Sequence, residues 1–194
     1  MARSAPLVAL ACLAMIALSG FPSVAAAQDA SQTYDPNNPG LGFRGIGARI
    51  GFVDPEDASS TVVWGAHVDA GTLVRNVHLL PYFEYWSAGA EVGGFSTDVS
   101  DLTIAADINV DFPLQDARIT PYLGGGLGVH FLNQETNVPG EEGSDDTKFG
   151  LNLQGGMRNQ IMPNLNLFGE LRYSFVSDAG QLKLVGGFTY QFIY

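Results

Sequence analysis

From Leu182 to Tyr194 the chain alternates. Leu182, Leu184, Phe188, Tyr190, Phe192 and Tyr194 fall on one face of an extended segment, and Lys183, Thr189 and Gln191 on the other. A sheet edge this apolar, with no charged gatekeeper in its last three residues, would pair with other molecules if it were left open. Closing the sheet on itself removes the edge. The stretch therefore predicts an all-β chain arranged as a barrel.

The same period of two recurs upstream without any sustained helical periodicity. Strands are expected at about 43–53, 61–71, 76–87, 101–112, 118–132, 148–159, 165–176 and 182–194, which makes an eight-stranded antiparallel up-and-down barrel. In the first, Ile46, Ala48, Ile50 and Phe52 oppose Gly45, Gly47, Arg49 and Gly51; in the fourth, Leu102, Ile104, Ala106, Ile108 and Val110 oppose Thr103, Asp107, Asn109 and Asp111. Pro81 interrupts the third as a residue without a ladder donor, and Leu80, Trp86 and Phe168 are apolar exceptions on otherwise polar faces. Loops are expected at 54–60, 88–99 and 133–147, long and acidic, with shorter turns between them.

Residues 1–27 hold Arg3, an apolar run from Leu7 to Leu18, a Gly20/Pro22 break and Ala25-Ala26-Ala27, the pattern of a cleaved secretory signal. Cys12, the one cysteine, lies within it. Residues 28–41 are polar and Pro/Asn-rich, a flexible lead-in, so the barrel domain is expected over 42–194. Removing the signal leaves eight Lys/Arg against twenty Asp/Glu, a formal charge of −12, which disfavours nucleic acid as a partner. No later stretch supplies the roughly eighteen apolar residues of a membrane-spanning helix.

Period two alone does not say whether the apolar face meets lipid or a core, so a secreted lipocalin-like barrel is the competing fold. Several features favour lipid outside. Long acidic connections alternate with short ones, apart from the short seventh. Apolar-face aromatics gather near the strand ends: Phe52, Trp64, Tyr85, Phe131, Phe149 and Phe175 towards the long loops, Phe112, Phe192 and Tyr194 towards the short turns. The polar face is Gly, Thr, Asn and Gln with charges of both signs, as in a crowded lumen, and an early Gly-x-Trp of the lipocalin kind is absent.

With its terminal aromatic and its strand pattern, the region 42–194 resembles the eight-stranded bacterial outer-membrane barrels of the OmpA, OmpX and OmpW kind, often called the porin family. The resemblance implies export to the cell outer membrane with both termini periplasmic, contact with outer-membrane lipid and lipopolysaccharide, and handling by the barrel-insertion machinery, which would read Phe192 and Tyr194. It implies a structural or surface-interaction role, or alternatively a small pore for polar solutes or small hydrophobic molecules. The external ligand is not legible.

Lumen-facing charges need partners, because an unpaired buried charge costs several kcal/mol. Arg49, Glu84, Asp107, Arg158, Glu170, Arg172 and Lys183 are expected to form a structural network, and eight strands enclose just the width that side chains fill. His67, Asp69 and His78 share one hairpin, with Asp69 expected near His78; an Asp–His hydrogen bond is favoured there over a metal site, since no ligand spacing supports one. The run Glu141–Asp146 departs from EF-hand spacing. No cofactor is expected. Among enzymes on such barrels, a lipid A deacylase needs His and Ser towards lipid, which the apolar rows lack, and a lipid A palmitoyltransferase needs an apolar lumen. A non-enzymatic protein is expected.

Overall fold

The computed structural model describes residues 40–56, 58–92, 95–114, 119–136, 143–177 and 179–192. The proposed signal, most of the lead-in, and Glu141, Glu142 and Tyr194 lie outside them. Eight antiparallel strands close into one barrel in sequence order: β1 (Gly40–Pro55), β2 (Thr61–Val74), β3 (Val77–Val92), β4 (Phe95–Asp111), β5 (Ile119–Thr136), β6 (Ser144–Met162), β7 (Leu165–Val176) and β8 (Gln181–Gln191). β8 pairs with β1 from Gly45↔Gln191 to Pro55↔Gln181, so the apolar terminal strand has no open edge.

The paired rows climb as they pass round the wall. The row from Gly47 through His67, Tyr82, Ala105, Gly128 and Gly150 ends at Val176, the last residue of β7, and continuing the β7–β8 and β8–β1 registers would meet β1 about ten residues above the start. Such a stagger tilts the strands by roughly 40° from the barrel axis.

Burial follows strand parity, and it is inverted relative to a soluble protein. Ile50, Trp64, Leu127, Phe149, Leu171 and Leu184 stand 63%, 52%, 71%, 81%, 54% and 60% exposed, while Arg49, Glu84, Arg172 and Lys183 are 5%, 0%, 1% and 1% exposed. Apolar side chains cover the outside and ionic ones fill the middle. Trp64, Tyr85 and Phe131 occupy one paired row with Leu102, the Trp64 and Tyr85 rings 5.9 Å apart. At the other rim Phe192 meets Phe43 at 5.1 Å and Tyr190 at 5.8 Å.

Two expected loops are largely strand. β3 and β4 stay paired to Val92↔Phe95, and β5 and β6 to Gln134↔Ser144. In the β5–β6 arm Ser144, Asp145, Asp146 and Thr147 are exposed on both faces, and neither arm carries an apolar alternation by which to be read. β2 also runs beyond its expected end, to a turn at Arg75 and Asn76, where Asn76 takes a positive φ of 62°. Asn tolerates that conformation better than most residues.

Candidate functional site

The middle of the lumen holds an ionic cluster centred on Glu84. Its Oε1 accepts from Arg49 Nη1 at 2.9 Å and Arg172 Nη1 at 3.1 Å, and its Oε2 from Lys183 Nζ at 2.9 Å. Arg172 Nη2 reaches Asp107 Oδ2 at 2.9 Å and Glu170 Oε1 at 2.6 Å, and Arg49 Nη1 lies 3.7 Å from Glu170. Three cations thus face three carboxylates. Desolvating each ion costs several kcal/mol, which mutual attraction offsets only where geometry is close and remaining sites are bonded.

The cluster also holds a ring. Both guanidiniums lie over the Tyr82 ring, Arg49 at 4.5 Å and Arg172 at 4.4 Å from its centre, and its hydroxyl accepts from Asn152 Nδ2 at 2.8 Å. Strand order shows how far these contacts reach across the lumen. β3 and β7 stand four strands apart in a ring of eight, on opposite walls, so the Glu84–Arg172 pair crosses the full width. Gln181 of β8 and Asp101 of β4, also on opposite walls, meet at 2.7 Å nearer the long-hairpin end.

Six of the seven charges expected to form the network meet here: Arg49, Glu84, Asp107, Glu170, Arg172 and Lys183. Arg158 stands apart. It pairs with Asp111 at 2.7 Å near the short-turn rim and joins the cluster only through Tyr122, whose ring it approaches at 5.3 Å and whose hydroxyl donates to Glu170 at 2.7 Å.

The His67, Asp69 and His78 arrangement does not form. Because β2 continues to Val74 with irregular register, Thr72 and not Asp69 faces His78. Asp69 accepts from the Gly71 backbone at 2.9 Å, His67 bonds Thr189 at 2.8 Å, and His78 lies 3.4 Å from Asp111. Among the described residues the closest Asp–His pair is Asp101 with His130, 2.7 Å apart. Asp101 shares strand parity with Thr103 and Asp107, which was the available signal; it sits at the lower limit expected for that strand. Asp145 and Asp146 of the acidic run are exposed at the start of β6.

Inward glycines make room for the large side chains beside them. Tyr122 pairs with Gly156, Asp107 with Gly126 and Phe168 with Gly187. A Cβ at Gly156 would lie 2.7 Å from the Tyr122 ring, and one at Gly187 2.7 Å from Phe168. These glycines are occupied space, and not the cavities their number alone would allow.

With this geometry in hand, residues 10–192 match the family described as outer membrane protein beta-barrel domain. The chain belongs to this family of outer-membrane β-barrels. No curated protein sequence matches it. Among solved structures, the barrel is similar to neisserial surface protein A at 20% identity and TM-score 0.63, covering 79% of this chain and 99% of that one. It is similar also to the N-terminal barrel of Pseudomonas aeruginosa OprF, at 13% and 0.57 (77% and 98% covered), and to Yersinia pestis Ail, at 15% and 0.51 (77% and 99% covered), the latter in complex with the heparin analogue sucrose octasulfate. These likenesses concern the fold. The outer-membrane barrel family accounts for the inverted burial: lipid replaces water around the apolar wall.

Proposed function

We propose that this barrel is closed and non-enzymatic, a membrane scaffold whose role is surface interaction through its projecting hairpins. The observation that carries the reading is the crossing of the lumen at two levels, by Glu84–Arg172 and Asp101–Gln181, with every participant no more than 1% exposed. Within this reading both termini lie in the periplasm, which puts the β3–β4 and β5–β6 hairpins outside the cell. Residues 1–27 act as the export signal, and Phe192 with Tyr194 as the mark recognised during insertion. The outer arms are acidic: Asp98, Glu135 and Asp145 are exposed, with Asp98 and Glu135 directly paired. Ail is described with a polyanionic heparin analogue; these hairpins would repel such a polymer and suit a cationic partner surface.

Planar-bilayer recording tests the closed state against a small pore for polar or small hydrophobic solutes. The protein should show no discrete conductance steps at about 1 M salt, where charges are screened beyond about 3 Å. Steady ohmic steps would replace the scaffold reading with the pore.

A further inference from the structure

A second polar group crosses the lumen where the β3–β4 hairpin leaves the barrel wall. Trp86 and Asp101 are register partners at the hairpin's root, and the regular β2–β3 pairing ends there, at Val63↔Trp86. From the opposite wall Gln181, the first residue of β8, applies both ends of its amide to this pair. Its Nε2 donates to Asp101 Oδ2 at 2.7 Å and its Oε1 accepts from Trp86 Nε1 at 3.3 Å. The same Asp101 oxygen lies 2.7 Å from His130 Nδ1.

Side chains as short as Gln and Asp meet only where opposite walls come together. Val53, Val63, Ala88 and Val185 form an apolar cluster with Trp86, so solvent does not compete for these hydrogen bonds. Past this level the hairpin has lost its β2 neighbour on the β3 side and is held only along its β4 side, by the β5 pairing that runs on to Thr97↔Thr136, so its root sets the direction of the β3 arm. We infer that Gln181 is a positioning residue for the outer surface: a buried staple from the last strand that fixes the pose in which the β3–β4 hairpin is presented. This rests on the reading of the hairpins as the interacting surface, but its test needs no partner.

Amide hydrogen exchange of the full barrel in lipid nanodiscs reads the staple directly. Gln181→Met keeps the length and removes both hydrogen bonds; exchange over residues 86–101 should rise about tenfold, while β7, residues 165–176, keeps its protection. Gln181→Glu sets a second carboxylate against Asp101 and should loosen the same segment further. Adding Asp101→Asn to it restores a donor facing an acceptor and leaves His130 an oxygen to bond, so protection over 86–101 should return. Unchanged exchange in Gln181→Met, an equal rise in every strand, or no recovery in Gln181→Glu/Asp101→Asn would each overturn the assignment. Should Gln181→Met fail to fold, the comparison of Gln181→Glu with the double variant decides alone. Conductance in bilayers, which would overturn the closed barrel, leaves this readout unaffected.

Discussion

Replacing Glu84 by glutamine keeps volume and shape but removes the charge on which three cations converge. Arg172 retains Asp107 at 2.9 Å and Glu170 at 2.6 Å, and Arg49 retains Glu170 at 3.7 Å. Lys183 loses its only ion pair among the described residues, at a position 1% exposed. Breaking a buried pair from one side costs about 3–5 kcal/mol, since the remaining charge stays desolvated. The compensation left to the two arginines places Glu84→Gln in the lower part of that range, at about 3 kcal/mol. Removing the stranded charge should recover part of the loss, so Glu84→Gln/Lys183→Met should be less destabilised than the sum of the single variants by about 1–3 kcal/mol. Denaturant unfolding in lipid vesicles, followed by tryptophan fluorescence and by the gel shift between folded and boiled protein, measures all four corners of this cycle. A loss below about 1 kcal/mol for Glu84→Gln, or strict additivity, would refute the argument that Glu84 is the hub.

Leu171→Arg, at a lipid-facing position 54% exposed, should cost about 2–4 kcal/mol in the same unfolding assay; a neutral result together with failed insertion on charge reversal along Asn166, Glu170 and Ser174 would invert the inside–outside assignment. Gly156→Val should push Tyr122 off Glu170 and lower stability by about 1–3 kcal/mol, whereas at Gly169, where a Cβ meets nothing within 4 Å, Ala should be tolerated in the same measurement. Phe192→Asp with Tyr194→Asp should leave the protein degraded or periplasmic in cell fractionation, and normal outer-membrane yield would remove these residues from the insertion signal. Purified protein should be β-rich by circular dichroism and heat-modifiable on gels; solubility without detergent would contradict a lipid-facing wall.

The alternation of side chains carried the strand count and the closure, and the alternating loop lengths, the aromatics near the strand ends and the composition of the polar face carried the choice of which face meets lipid. These are consequences of a local rule: successive side chains point to opposite sides, and lipid accepts only apolar ones. Strand β7 was legible to the residue, because Leu167, Leu171 and Phe175 face lipid while Glu170, Arg172 and Ser174 face the lumen along its length. The arms of β3–β4 and β5–β6 were not legible, because above the bilayer neither face is selected for apolarity. Within the lumen, composition alone called for charges of both signs to pair. Which ones meet depended on register, stagger and reach across the barrel. Arg158 was grouped with Glu84 by type, yet the tilt of β6 sets it at the rim beside Asp111. Asp69 and His78 were grouped by proximity in sequence, yet an irregular register set Thr72, and not Asp69, opposite His78. Tyr82, Gln181 and Asp101, on strands far apart in the chain, became neighbours of the charges they hold only once the sheet had closed, since contacts across opposite walls leave no local pattern in the sequence.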